Sequence, residues 1–146
     1  MKTNTAGLNL IKEFEGLRLQ PYNDSVNFCT VGYGHLIRRS PVTPQDLPIT
    51  QEQADAYLVD DLEWAEAAVT RYVKVPLTEN EFSALVAWTY NLGTGTLASS
   101  QVLTLINQGL LERATAHMVL YDKAGGKTLP GLTRRRQAEV ALFLKA

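Results

Sequence analysis

At 146 residues, with 45% hydrophobic and 20% charged side chains, the chain has the length of one compact domain and enough apolar content to build its core, which argues against intrinsic disorder. A formal net charge of -1 gives no overall attraction to a polyanion such as nucleic acid, although charge can still cluster locally. The single cysteine, Cys29, excludes an internal disulfide, so the fold rests on its apolar core and suits a reducing compartment.

The first apolar stretch, Leu8 to Phe14, is interrupted by Asn9, Lys12 and Glu13 and matches neither a signal peptide nor a membrane span. The expectation is synthesis in the cytoplasm with no membrane insertion. Leu8, Leu10, Ile11 and Phe14 recur at near-helical spacing, with Thr3, Asn4 and Thr5 as N-cap candidates. Gly16 is a stop, so this helix ends at Glu15. From Leu17 to Ile37 the strand formers Tyr22, Val26, Phe28, Val31 and Tyr33 are broken by Asn23-Asp24, Gly32 and Gly34, which predicts a small antiparallel sheet with tight turns. Residues Arg38 to Pro48 carry three prolines and read as a loop.

Thr50 with Gln53 forms a capping box. The stripe Ala54, Leu58, Asp61, Ala65, Ala68, Tyr72 then predicts one long helix over about 50-74, closed by Pro76 and long enough to link two lobes. Thr78 with Glu81 is a second capping box, leading into Phe82, Leu85, Val86 and Trp88. Asn91 to Thr96 contains Gly93 and Gly95 and reads as a turn. Helical patterns follow from Ser100 to Asn107 and from Leu110 to Tyr121. A loop with Gly125, Gly126, Pro130 and Gly131 then precedes a final helix, Thr133 to Leu144. Strands confined to the first third make the class α+β.

Three polar residues invite a chemical reading. Glu15 falls at the C-terminal end of a helix, where the macrodipole is negative, and beside Phe14; both features favour the neutral acid. A carboxylic acid held protonated can protonate a leaving oxygen, as glycoside hydrolysis requires, but the position equally suits a solvated Glu at a fraying helix end. Asp24, within Asn23-Asp24-Ser25, is either an Asx-turn residue or the second carboxylate that a glycosidase needs. Thr30 is either a β-branched strand residue or a hydroxyl presented to the same water. Asp61, on an apolar stripe, calls for a charged or hydrogen-bonding partner unless it sits at the exposed edge of the stripe.

The run Phe14-Glu15-Gly16-Leu17-Arg18-Leu19, then Pro21-Tyr22-Asn23-Asp24, then Thr30-Val31-Gly32-Tyr33-Gly34-His35 resembles the active-site signature of the phage-type lysozymes, glycoside hydrolase family 24. That family places an Asp nine residues after a Glu and a Thr six further on, and Glu15, Asp24 and Thr30 match both spacings. Asn91-Leu92-Gly93-Thr94-Gly95 and Leu129-Pro130-Gly131-Leu132, followed by Arg134 to Glu139, extend the resemblance along nearly the whole chain. Asn27 departs from it, standing where many members carry glycine, and the loop from Arg38 to Pro48 is the chain's own.

The resemblance implies a single domain, 1-146, of two lobes with a cleft between them. The N-terminal lobe would span about 12-60, the linking helix about 50-74, and the C-terminal lobe about 75-146 plus the first helix. It implies that Glu15 is the general acid, that Asp24 and Thr30 position and activate the attacking water, and that the β-1,4 bond between N-acetylmuramic acid and N-acetylglucosamine is cut with inversion. It also implies that His35 pairs with Asp61 in a structural salt bridge and that Leu36, Tyr90 and Ser100 line the substrate groove. Arg134 or Arg135 is a candidate to reach Glu15. The substrate would be peptidoglycan and the enzyme a monomer, with no metal and no cofactor. With no export segment visible, a separate holin-type protein would open the membrane so that the enzyme reaches the wall.

Three other readings make different demands. A Cys-dependent wall amidase or peptidase would use Cys29 with His35 or His117, yet Cys29 and His35 sit six apart on what reads as one strand, far along the same face. A nucleic-acid module would use Arg134-Arg135-Arg136 with Arg38-Arg39, a set that otherwise reads as a solvated helix start plus loop charges. A lytic transglycosylase would cut the same bond with one Glu, leaving Asp24 and Thr30 without a role.

Overall fold

The computed structural model describes residues 1–146. Helix α1 is Thr5–Glu15. Asn4 caps it, its Oδ1 accepting from the Gly7 N–H at 2.9 Å. Gly16, at φ +75°, ends it by donating to Lys12 O at 3.0 Å, a left-handed closure that glycine allows without strain. Strands β1 (Arg18–Asn23), β2 (Cys29–Gly32) and β3 (His35–Arg38) form one antiparallel sheet in that order. Tyr22 lies opposite Thr30, Thr30 opposite Leu36, and Val31 opposite His35. Cys29 and His35 are therefore on neighbouring strands, because the turn at Tyr33 and Gly34 divides what reads in the sequence as one strand.

Seven further helices follow: α2 (Gln51–Asp61), α3 (Glu63–Tyr72), α4 (Glu79–Leu92), α5 (Thr94–Ser99), α6 (Gln101–Asn107), α7 (Leu111–Met118) and α8 (Pro130–Phe143). Both capping boxes form. Thr50 and Gln53 exchange bonds of 2.9 and 3.1 Å at the start of α2, and Thr78 and Glu81 exchange bonds of 2.8 and 3.1 Å at the start of α4.

Five boundaries differ from the sequence reading, the simplest being α7, which ends at Met118 and not at Tyr121. The long helix is two helices, interrupted at Leu62, whose ψ of -12° leaves the α-helical range although its N–H still reaches Leu58 O. The segment after Leu92 holds the short helix α5, with Gly93 at φ +97° making the corner. Strands β4 (Lys123–Ala124) and β5 (Lys127–Thr128) pair across Gly125 and Gly126, so strands are not confined to the first third. Both glycines have positive φ, at +60° and +79°, as a tight hairpin turn requires. Helix α8 begins three residues earlier than read, because Pro130 suits the first helical turn.

The chain divides into two compact units, Lys12–Glu63 and Met1–Ile11 with Trp64–Ala146. In the first, the sheet and α2 share a core that includes Cys29, Val31, Ala54, Leu58 and Leu62. Gly32 permits their close approach, since a Cβ there would lie 3.4 Å from Ala54 Cβ. In the second, every residue of α4 from Phe82 to Thr89 is buried, with α8 packed against it. Trp88 is fully enclosed and donates from Nε1 to Met118 O at 3.3 Å. The N-terminal segment is tied down by buried Glu66, which accepts from Thr3 N–H and Oγ1 at 2.8 and 2.7 Å.

Two of the three arginines in the run are not solvated, and only Arg134 is exposed. Arg135 and Arg136 are 3% and 0% exposed and converge on Glu139, itself 0% exposed. Arg135 Nε donates to Glu139 Oε2 at 3.1 Å, and Arg136 Nε lies 2.7 Å from Oε1. Arg135 also donates to Ala87 O, and Arg136 to Asn91 Oδ1 and Tyr121 O, so the cluster stitches α8 to α4 and to the segment that follows α7. Burial pushes the Glu139 carboxyl up, against the pull of the two guanidiniums. These arginines form a buried network, and neither a nucleic-acid patch nor a solvated helix start describes them. No helix is long and apolar enough to cross a membrane.

Candidate active site

Glu15, Asp24 and Thr30 all belong to the unit Lys12–Glu63. Glu15 is the last residue of α1 and is solvent-exposed. Its Oε1 stands 3.9 Å from where a Cβ of Gly34 would lie, so the carboxylate rests against the tip of the β2–β3 hairpin. Several contacts brace that tip. Gln51 Nε2 donates to Tyr33 Oη at 3.0 Å, Lys12 pairs with Asp55 at 3.1 Å, and the Lys12 ammonium lies 5.7 Å from the Tyr33 ring centroid. Lys12 lies one turn before Glu15, so this pairing ties the end of α1 to the start of α2.

Asp24 heads the loop between β1 and β2. Its Oδ1 accepts from Val26 N–H and Phe28 N–H, each at 2.9 Å, and its own N–H donates to Phe28 O at 3.0 Å. The loop closes through Asn27 at φ +62°, the one non-glycine residue with positive φ. Asparagine tolerates that region better than most residues, which explains physically how it substitutes for the family's glycine. Thr30 is 4% exposed, and its hydroxyl donates to Phe28 O at 3.0 Å. Phe28 thus links Asp24 and Thr30 through its backbone. Both Asp24 bonds fall on Oδ1, leaving Oδ2 to accept from a water, and the Thr30 oxygen retains lone pairs for the same purpose.

His35 Nδ1 lies 2.9 Å from Asp61 Oδ2, and the His35 ring stacks on Tyr57 at 3.9 Å between centroids. The pair fixes the start of β3 to the end of α2, where a carboxylate facing the negative helix terminus gains from a basic partner. Tyr57 was not legible as a partner, because it lies off the apolar stripe.

The three groove candidates fare differently. Leu36 is 42% exposed on β3. Tyr90, half-buried near the end of α4, lies 5.7 Å from Trp64 between ring centroids. Ser100 is 5% exposed and caps α6, accepting from Leu103 N–H at 3.1 Å and donating to Leu97 O at 2.9 Å. Cys29 is 0% exposed; burial pushes its thiol up, and nearby Asp46 adds to the effect. A buried thiol held in its neutral form is a poor nucleophile. No group of three or more His, Cys, Asp or Glu side chains is placed to hold a metal ion.

Glu15 at the end of α1, with Asp24 and Thr30 on and beside a small sheet, is the arrangement the family resemblance calls for, and comparison with known proteins agrees. The family model described as Phage lysozyme matches residues 12–139. The chain belongs to the phage lysozyme family. The endolysin of Bacillus phage PZA is 41% identical over 145 residues, covering 98% of this chain but 55% of its own length, so the chain spans about half of that relative. A crystal structure of a P22 lysozyme point mutant aligns with a TM-score of 0.89 at 34% identity, covering 99% of both chains. The muramidase domain of SpmX from Asticaccaulis excentricus aligns with a TM-score of 0.87 at 36% identity, also covering 99% of both.

Proposed function

We propose that the chain is an endolysin, a peptidoglycan hydrolase that cleaves the β-1,4 bond between N-acetylmuramic acid and N-acetylglucosamine with inversion. The observation carrying this reading is the shared anchoring of Asp24 and Thr30 on Phe28, beside a hairpin whose tip meets Glu15. Glu15 gives its proton to the glycosidic oxygen as the bond to the anomeric carbon breaks. A water held by Asp24 Oδ2 and the Thr30 oxygen attacks that carbon from the opposite face and passes a proton to Asp24. The products are a muramic acid with a reducing end and a glucosamine with a free 4-hydroxyl. Exchange with solvent returns the proton to Glu15 and removes it from Asp24. No cofactor enters this balance.

Leu36 and Tyr90 supply apolar contact to the glycan in this reading, while Ser100 acts indirectly by holding the start of α6. His35 and Asp61 act as a structural pair. The enzyme works as a monomer, is made in the host cytoplasm, and meets the wall once a separate holin-type protein has opened the membrane. Digestion of purified peptidoglycan, followed by mass spectrometry and NMR of the fresh products, tests the chemistry. The expected products carry reducing N-acetylmuramic acid formed as the α-anomer. Products ending in 1,6-anhydro-muramic acid would show a lytic transglycosylase, and products cut at the amide would show a peptidase or amidase.

A further inference from the structure

Helix α3 carries a surface that the proposed chemistry does not use. Trp64, Ala67, Ala68, Arg71 and Tyr72 recur along it at spacings of three, one, three and one, which places them on one face. With Thr94 they line an open groove of about 240 Å³, a little below the usual size of enclosed small-ligand sites and suited to one part of a longer polymer. The floor is formed by two alanines, which leave the groove open. Trp64 is 45% exposed, unusual for the largest apolar side chain, and Tyr90 backs it at 5.7 Å. At the other end the Arg71 guanidinium lies 5.3 Å from the Tyr72 ring centroid, and no carboxylate pairs with it. All of these residues lie within the unit containing Trp64–Ala146.

We infer that this groove is an accessory glycan-binding surface, taking one sugar of the peptidoglycan strand on the Trp64 indole and a stem-peptide carboxylate on Arg71. The inference rests on the proposed wall substrate. An exposed indole offers a large flat apolar face to the C–H side of a pyranose while losing little side-chain entropy, the property that makes Trp a frequent anchor in interfaces. Seven residues separate Trp64 from Arg71, about 10 Å along the helix axis, so the charge sits beyond the ring that covers the indole. Peptidoglycan presents neutral sugars with acidic peptides hanging from them, and the groove has the same order: an apolar plate, then a cation held over an aromatic ring. A neutral polymer such as chitin would use the indole alone.

Binding is measured on the full chain carrying Glu15→Gln, which halts cleavage, by co-sedimentation with purified sacculi. In that background Trp64→Ala should weaken binding about tenfold and Arg71→Gln by a smaller factor, as expected for an anchor and a flanking charge. On sacculi stripped of stem peptides the Arg71→Gln effect should vanish while the Trp64→Ala effect persists. Unchanged binding in both variants would overturn the inference, and the chemistry assigned to Glu15 would still stand or fall by its own product analysis. A second readout needs no substitution on the groove. The chain has two tryptophans, and Trp88 is fully buried, so acrylamide quenching reports Trp64. Saturating soluble muropeptides should protect it, and quenching that is indifferent to them would count equally against the groove.

Discussion

Replacing Glu139 by Ala removes the carboxylate that two buried guanidiniums share. Arg136 is 0% exposed and Arg135 3%, so neither can swing into water to recover its hydration. Breaking a buried ion pair from one side costs about 3–5 kcal/mol, because the surviving charge is left without compensation. Both guanidiniums lose a carboxylate here, yet Arg136 keeps Asn91 Oδ1 and Tyr121 O, and Arg135 keeps Ala87 O. These remaining acceptors hold the expected loss to about 4 kcal/mol. A domain near this size shifts its melting temperature by about 3 °C per kcal/mol, so the variant should melt about 12 °C lower. Thermal unfolding followed by circular dichroism measures it. A double-mutant cycle with Arg136→Met and Glu139→Leu should show the double variant recovering only the share of the loss that belongs to Arg136, because buried Arg135 still loses its bond to Glu139. A shift of less than about 3 °C for Glu139→Ala would refute the reasoning, showing that the carboxylate is not what holds these guanidiniums.

Asp46 supports a pH-dependent prediction. The Arg38 guanidinium, and then the Thr43 N–H, hold its carboxyl well below the usual carboxylate range. Its folded value is therefore depressed, so the stability it contributes is present above about pH 4 and is lost as pH falls toward the folded value. Melting temperatures recorded from pH 6 down to pH 2 should fall less steeply in Asp46→Asn than in wild type, and parallel slopes would contradict the assignment. Gly7→Ala introduces a Cβ that would lie 2.7 Å from Ser83 Cβ and 2.8 Å from Thr3 Cγ2. Overpacking of about 1–3 kcal/mol outweighs a helix-propensity gain of about 1 kcal/mol, so urea unfolding should show a net loss of stability. Cys29→Ser places a buried hydroxyl beside Asp46, which can accept its hydrogen bond, so it should cost only about 1 kcal/mol while wall-hydrolysing activity persists at a temperature where the variant is folded. Loss of activity in a folded Cys29→Ser protein would reopen thiol chemistry.

The sequence is most informative where a local rule has one structural solution. Thr50 with Gln53 and Thr78 with Glu81 mark helix starts because side chain and backbone satisfy each other within a single turn. Gly16 marks the end of α1 for an equally local reason. The spacing of Glu15, Asp24 and Thr30 identifies the candidate site, but it does not reveal that Phe28 joins two of them through its backbone. Burial of Arg135 and Arg136 was hidden because an arginine run at a helix start ordinarily faces water. The signal that could have exposed it is Glu139, spaced four and three residues from the pair, although the acceptors Ala87, Asn91 and Tyr121 come from elements far off in sequence. Helix α5 was masked by Gly93 and Gly95, which are turn residues by composition. The hairpin of β4 and β5 was masked by strands of only two residues each, too short for any alternation to show. Trp64 falls outside the apolar stripe, so its exposure beside the groove on α3 shows only in the structure.

The most direct test of the account is the rate at which Glu15→Gln hydrolyses purified peptidoglycan, measured beside wild type on protein confirmed to be folded. Glutamine keeps the size of the side chain and its place at the end of α1 but has no acidic proton to give the leaving oxygen. A rate lower by about 10²–10⁴-fold with little change in melting temperature is the result the account predicts. A folded variant that retains wild-type activity would contradict it and remove Glu15 from the chemistry.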